Sequence, residues 1–223
     1  MTFRELYTIF AKHKDGQWIM KLDNAYQLYQ FAKENNIKRV LGLGTGIGLS
    51  DAVIALALLE KGEKDFLIDS LEQNEKCINI ANGLIPQELK GYINIHKTEV
   101  KVWNTEHIPY QYFSNYKTLP NSEYDLIIND GPSPFMEGDK YVDLPNGTIH
   151  EMLINGKIKD GTKIIYDGRV QSFGILERYF SGNFQLIKVP KRGNDFNVIE
   201  KIGDLKIGDD KLDMMKNFTT YFK

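Results

Sequence analysis

The chain of 223 residues is long enough to bury one core of moderate size without disulfides or a structural metal. Hydrophobic residues make up 42% and charged residues 26%, both close to the globular average, and the formal net charge is -2. This balance gives no electrostatic reason to expect nucleic acid or an anionic membrane as a partner. The single cysteine, Cys77, excludes an internal disulfide framework and a cysteine-rich zinc site, and it suits a reducing compartment.

The longest apolar run, 52–59, is far shorter than the ~20 residues that span a bilayer. The first residues also lack the basic and then apolar pattern of a signal peptide. We therefore expect a cytoplasmic protein, with no membrane or nucleic-acid partner. No repeat or linker divides the chain, which favours a single domain over 1–223, with a possible N-terminal lid over 1–18 and a possible C-terminal helix over 205–223.

Predicted helices and strands alternate along the chain. Helical spacing of apolar residues and compact apolar runs define them. The predicted helices are 21–36, 52–59, 74–82, 147–158 and 173–180, and the predicted strands are 39–43, 65–72, 92–98, 124–129, 162–166, 184–189 and 197–202. This order builds a mainly parallel sheet with right-handed crossovers, and the polar turn between the last two strands predicts an antiparallel finish. Residues 103–120 and 133–146 are predicted to be connections without regular structure, apart from a possible short helix in the first.

An apolar strand, 39–43, enters a turn with three glycines at alternate positions, Gly44, Gly46 and Gly48. Glycine accepts positive φ and lets a ligand approach the main chain, while the helix that follows presents free N–H groups. The spacing does not match the dinucleotide fingerprint, and no phosphate loop ending in Gly-Lys-Ser/Thr is present. The turn therefore predicts a different polar ligand, and the alternative is a tight turn without any ligand.

This stretch resembles the first motif of the class I S-adenosylmethionine-dependent methyltransferases, which runs acidic-x-Gly-x-Gly-x-Gly. Gly42 stands at the acidic position, whose carboxylate in that family usually helps to hold the methionine part of the cofactor. The resemblance covers about residues 20–200 in element order. It implies a Rossmann-like, three-layer, doubly wound α/β fold with a mainly parallel seven-stranded sheet, and S-adenosylmethionine as cofactor with S-adenosylhomocysteine as product. The implied cofactor contacts in the turn are Gly42, Gly44, Thr45 and Gly46.

Further cofactor contacts are implied at the ends of the second and third strands. Glu72 ends the second strand, and Ala81 lies nine residues later, where the family has an alanine. The resemblance implies that Glu72 accepts hydrogen bonds from the two ribose hydroxyls. Asp69 is the competitor if the strand is shorter, and a carboxylate at a helix N-terminus is the alternative role for Glu72. Thr98 or Glu99 would lie near the adenine.

Two aspartates end the fourth and fifth predicted strands, in Asp130-Gly-Pro and Asp167-Gly-Arg169. The fourth strand looks like the family's fourth motif, with Asp130 at the mouth of the pocket. In the family's strand order these strands are neighbours, ~4.8 Å apart, so both carboxylates would lie at the carboxyl edge of the sheet. One of them could act as general base while the other binds substrate. Arg169 could hold an anionic substrate group, or pair with either aspartate.

Asp130 and Asp167 could instead hold a divalent cation such as magnesium, as in the catechol-type O-methyltransferases. Those enzymes follow the second aspartate with asparagine, whereas Gly168 stands here, and the Asp-Gly-Pro turn looks more like sugar O-methyltransferases, which need no cation. We therefore expect no metal. The favoured function is methyl transfer to a hydroxyl of a small molecule or sugar, with Asp130 as base. The alternative is a catalytically inactive methyltransferase-like protein that holds a nucleoside ligand or a partner protein.

Overall fold

The computed structural model describes residues 1–109, 111–188 and 196–207. Strands and helices alternate along most of this part of the chain. The strands are β1 (Arg39–Leu43), β2 (Leu67–Glu72), β3 (Ile93–Lys97), β4 (Val100–Trp103), β5 (Phe113–Tyr116), β6 (Leu126–Asn129), β7 (Phe135–Glu137), β8 (Lys140–Val142), β9 (Lys163–Asp167), β10 (Phe184–Lys188) and β11 (Phe196–Lys201). The helices are α1 (Phe3–Ala11), α2 (Leu22–Glu34), α3 (Leu49–Lys61), α4 (Glu75–Leu84), α5 (Gln87–Lys90), α6 (Thr148–Ile154) and α7 (Val170–Phe180).

Seven strands form one sheet in the order β10-β11-β9-β6-β1-β2-β3. β1 pairs in parallel with β2 and β6, β2 with β3, and β6 with β9. β11 runs antiparallel to both β9 and β10. The predicted sheet, mainly parallel with an antiparallel last strand, is therefore confirmed, and it brings the carboxyl ends of β2, β1, β6 and β9 to one edge.

Each face of the sheet packs against its own helices, which gives the expected three layers. Val40 of β1 packs in a core formed with α1, α2 and α3, whereas Leu41 belongs to a second core with α6 and α7. Successive strand residues point to opposite faces, so the strands are apolar on both sides. Among the helices of the described residues, none is long and apolar enough to cross a membrane.

α3 is longer than the sequence predicted. It begins after Gly48 and ends before Gly62, and both glycines have positive φ values, 92° and 93°. Its residues 51–58 are all buried, so the helix is enclosed by the sheet and by α1 and α2. The predicted helix over 147–158, by contrast, ends at Ile154, and Gly156 follows with φ 65°.

The two connections predicted to lack regular structure contain short strands. β4 and β5 pair antiparallel, with Val100 opposite Tyr116, and β7 pairs with β8. All four residues of β5 are buried, so they show no alternation of polar and apolar residues that would identify a strand. β5 is a strand because it pairs with β4, and the local sequence pattern carries no information about that pairing.

The N-terminal segment contains a regular helix. Thr2 and Glu5 form a reciprocal capping box at the start of α1, and the helix buries Leu6 and Phe10 in the core. The segment that follows, 15–20, reaches the pocket described below. A lid role for 1–18 stays a prediction. The possible C-terminal helix lies almost entirely outside the described residues, so the single domain over 1–223 also stays a prediction.

Candidate functional site

A pocket of about 410 Å³ opens at the carboxyl edge of the parallel strands. The turn after β1, the end of β2 and the segment after β6 form its floor, and residues 15–20 form its outer wall. Trp18 in this wall is 82% exposed. Open α/β sheets bind ligands in the crevice outside the carboxyl ends of their strands, and the volume is typical of a small-molecule site.

Close approaches of neighbouring segments require glycine at two of the three alternate positions of the turn. Gly44 has φ 103°, and a Cβ on it would lie 2.8 Å from the backbone nitrogen of Gly131. Gly48 has φ 92°, and a Cβ on it would lie 3.1 Å from the Cβ of Ala81 in α4. Gly46 has φ 52° and no atom within 4 Å of its added Cβ, so it faces open space. The glycine pattern thus packs the turn against two neighbouring segments and leaves its tip accessible.

Backbone hydrogen bonds attach the turn to β2. The N–H groups of Gly44 and Thr45 both donate to the carbonyl oxygen of Leu71, each at 3.1 Å. The next N–H group, that of Gly46, donates to Oε2 of Glu72 at 2.8 Å. Three successive N–H groups are therefore held by two successive residues of β2, which fixes the turn at the floor of the pocket.

The start of α3 opens into the pocket without a side-chain cap. Gly48 occupies the N-cap position, and Leu49 and Ser50 of the first helical turn line the pocket. The first N–H groups of a helix have no partner within the helix and carry partial positive charge. This end of the pocket can therefore bind an anionic group such as a carboxylate.

The Glu72 carboxylate lies in the pocket wall and is 6% exposed. Its Oε1 accepts from the N–H groups of Gln73 and Asn74, both at 2.9 Å, and its Oε2 accepts from Gly46. Burial raises the pKa of Glu72, and the three N–H donors oppose that rise. A carboxylate offers about four acceptor sites, so about one remains for a ligand hydroxyl.

The side chain of Gln73 links two strand ends across the pocket. Its Nε2 donates to the carbonyl oxygens of Ser133 and Pro134, at 3.1 and 3.3 Å. These residues follow β6, and all three line the pocket. Nothing in the sequence pattern indicated this contact, because it depends on how the segments after β2 and β6 meet.

Other predicted cofactor residues lie away from the pocket. Asp69 is directed at His96, with Oδ1 2.8 Å from Nε2, so it does not compete with Glu72. Glu99 is exposed and forms an ion pair with Lys117 at 2.5 Å, and Thr98 is buried against residue 118. Neither of the residues predicted near the adenine lines the pocket.

Gly42 also lies outside the pocket lining. A Cβ at this position would meet Ser70 and Asp51, which are both buried. Asp51 lies in the first turn of α3 and accepts from the Ser70 hydroxyl. One signal was available beforehand: a single acidic residue at the start of an otherwise apolar helix requires a buried partner.

Asp130 and Arg169 lie together at the mouth of the pocket. The guanidinium of Arg169 donates to the carbonyl oxygen of Asp130 and, at 3.1 Å, to its Oδ1. Partial burial of the carboxyl raises the pKa of Asp130 to about 7, and 44% of its side chain remains exposed. Arg169 opposes that rise, and Asp167 adds to it. Arg169 thus pairs with an aspartate, one of the two roles expected from the sequence, and its role in holding an anionic substrate group stays a prediction.

Asp167 ends β9, directly beside the end of β6, as the predicted strand order requires. Asn129 of β6 is paired with Tyr166 of β9, so Asp130 and Asp167 follow a matched pair of residues. Oδ1 of Asp167 accepts from Nδ2 of Asn24 at 2.9 Å. Within the described ranges, no group of three or more His, Cys, Asp and Glu side chains is placed to hold a metal ion.

The sheet order β3-β2-β1-β6-β9-β11-β10, with β11 antiparallel to its neighbours and the glycine turn after β1, is the class I methyltransferase fold. No family model and no curated protein matches the chain. Solved structures do match. An O-methyltransferase from Bacillus cereus, in complex with S-adenosylhomocysteine, has a TM-score of 0.61 at 15% identity and covers 90% of each chain.

Two further structures with the same fold were solved with cofactor. A methyltransferase from Podospora anserina, bound to S-adenosylhomocysteine, has a TM-score of 0.58 at 16% identity, over 91% of this chain and 88% of that one. The O-methyltransferase TomG from Streptomyces achromogenes, in complex with S-adenosylmethionine, has a TM-score of 0.57 at 14% identity, over 88% of each chain. At these identities the likeness establishes the fold.

Proposed function

We propose that the protein is an S-adenosylmethionine-dependent methyltransferase that transfers a methyl group to a hydroxyl of a small molecule or sugar. One observation carries the proposal: the glycine turn, Glu72 and the uncapped start of α3 face the same pocket. The solved structures of the same fold support it, since several were obtained with S-adenosylmethionine or S-adenosylhomocysteine.

The pocket residues fit this cofactor. The free N–H groups at the start of α3 suit its carboxylate, and the remaining acceptor site of Glu72 suits a ribose hydroxyl. Gly46 leaves open space beside the turn, so a ligand can approach the main chain. When bound, the cofactor supplies an electrophilic methyl group on a sulfonium.

Asp130 is the proposed general base, and it accepts the proton of the acceptor hydroxyl. It lies at the mouth of the pocket, and its pKa of about 7 is suited to proton transfer near neutral pH. Arg169 holds the carboxylate in place. We propose that Asp167 supports this edge of the site through Asn24 rather than as a metal ligand.

The two aspartates do not fit a metal site well. Arg169 already occupies Oδ1 of Asp130 as a cationic partner, and Asn24 donates to Oδ1 of Asp167. A divalent cation prefers several oxygen ligands that are free to coordinate it. The proposed reaction is therefore independent of magnesium.

Calorimetric titration with S-adenosylhomocysteine and S-adenosylmethionine tests cofactor binding, and we expect both to bind. Methyl transfer from labelled cofactor to a panel of sugars, phenols and catechols, with and without EDTA, then tests the reaction. Activity that survives EDTA supports the metal-free site. Binding without transfer to any acceptor would favour the inactive, ligand-holding alternative, and the lack of binding at millimolar concentration would overturn the proposal.

A further inference from the structure

A buried chain of hydrogen bonds connects the glycine turn to α3 through β2. The Ser70 hydroxyl in β2 donates to Oδ2 of Asp51 at 2.7 Å, and Oγ1 of Thr45 lies 2.7 Å from Oγ of Ser70. Because the single hydroxyl proton of Ser70 is already donated to Asp51, Thr45 must donate in the second bond. All three side chains are buried. The chain therefore begins in the turn and ends on a carboxylate.

The missing side chain of Gly42 provides the space for that carboxylate. A Cβ at position 42 would lie 2.7 Å from Oγ of Ser70 and 2.9 Å from Oδ1 of Asp51. Oδ1 is buried and has no hydrogen-bond partner among the described residues. Asp51 extends from the first turn of α3, so an acidic side chain of the helix fills the space beside β1 that a strand side chain would take.

Burial of Asp51 opposes its ionisation. The burial raises the pKa of its carboxyl to about 7, the hydrogen bond from Ser70 opposes the rise, and the charge of Glu72 adds to it. A buried carboxyl of this kind destabilises the fold unless its hydrogen bonds compensate for its burial. Its described hydrogen bond leads only to Ser70 and from there to Thr45, whose backbone forms part of the pocket floor.

We propose that Asp51 is a positioning residue of the ligand site. It holds Thr45 through Ser70, and thereby fixes the backbone of the turn that the cofactor contacts. Gly42 belongs to the same arrangement, since a residue without a side chain leaves room for Asp51 against β1. The inference rests on the proposed function, because the cofactor is the ligand assigned to this turn.

The test is a double-mutant cycle on the affinity for S-adenosylhomocysteine, measured by calorimetric titration. Asp51→Ala and Ser70→Ala are each expected to weaken binding about tenfold, comparable to the loss of one hydrogen bond. Because the groups act in series, the double variant is expected to bind no more weakly than the weaker single variant. Asp51→Asn is expected to restore most of the affinity, since its amide oxygen can accept from Ser70.

Thr162→Ala is the matched control. Thr162 directly precedes β9, at the amino ends of the parallel strands and away from the pocket. It is buried and donates to the carbonyl oxygen of Tyr124 at 2.8 Å. Its loss is expected to lower the Tm without changing the Kd. The inference is overturned if Asp51→Ala and Ser70→Ala behave like this control, with a Kd within about twofold of wild type. Simple addition of the two single effects in the double variant also overturns it.

Gly42→Ala tests the space argument separately. The added Cβ would displace Ser70 or Asp51, so we expect weaker binding, and a folded variant with the wild-type Kd would contradict the argument. If Asp51→Ala does not fold, Ser70→Ala and Asp51→Asn still decide the question. A wild-type protein that binds no cofactor refutes the proposed function itself, which distinguishes that failure from a failure of the positioning role.

Discussion

Arg169 is bonded twice to Asp130, since its guanidinium donates to both the carbonyl oxygen and the carboxylate. Asp130 follows β6 and Arg169 follows β9, so the pair joins two adjacent strand ends at the mouth of the pocket. A positive neighbour favours the charged form of a carboxylate, which makes it a weaker base. The pair therefore helps to set the pH range in which Asp130 can accept a proton.

Replacing Arg169 should change the pH dependence of methyl transfer. Arg169→Gln removes the charge that lowers the pKa of Asp130, so the acid limb of kcat/KM moves to higher pH. We expect activity to fall about tenfold near pH 6 and to stay within about threefold of wild type near pH 9. Asp130→Asn is the control, and it should lose about a hundredfold or more in kcat across the range. Superimposable pH profiles for wild type and Arg169→Gln would contradict this assignment.

Glu72 and Asp69 lie on the same strand, and only Glu72 faces the pocket. We expect Glu72→Gln to raise the Kd for S-adenosylhomocysteine about tenfold or more, because a charged acceptor is lost and the amide NH₂ faces backbone donors. Asp69→Asn is the matched control and should leave the Kd unchanged. Calorimetric titration measures both, and equal affinities for the two variants would mean that Glu72 does not contact the cofactor.

Asp51 should make the folded state less stable as the pH rises. Its pKa is about 7 in the fold against 3.8 ordinarily, so the folded state keeps a proton that the unfolded chain loses between about pH 4 and pH 7. Stability therefore falls across that interval, by at most about 4 kcal/mol, and then levels off. Asp51→Asn lacks this loss. Urea unfolding should show that the free energy of unfolding of Asp51→Asn, relative to wild type, is higher at about pH 8 than at about pH 5. The same difference in free energy at both pH values would refute the raised pKa.

Trp18 should report directly on the ligand. It is 82% exposed and lines the pocket, while the other tryptophan, Trp103, packs against Phe113 on β5. In a Trp103→Phe background, we expect S-adenosylhomocysteine to quench or shift the remaining fluorescence as it covers the indole. Trp18→Phe in the wild-type background serves as the control. Saturated binding with an unchanged Trp18 spectrum would place the ligand away from residues 15–20.

The sequence by itself determined the main sheet and its glycine turn. β1 has the predicted bounds, and β2, β3, β6 and β9 differ from prediction by at most two residues at either end. Strands buried on both faces appear as compact apolar runs, and helices appear as apolar residues at helical spacing, so both are local patterns. The alternating glycines and the acidic end of β2 are equally local, which is why Glu72 could be assigned to the pocket.

Only the tertiary structure decided which side chains meet. Glu99 follows β3 and pairs with Lys117, Arg169 pairs with Asp130, and Asp51 fills the space at Gly42. These contacts join segments that are 18 residues apart or more, or depend on the angle at which α3 packs on β1 and β2. A side chain's partners are set by strand order, register and helix packing, and those follow from burial of the whole core rather than from any local pattern.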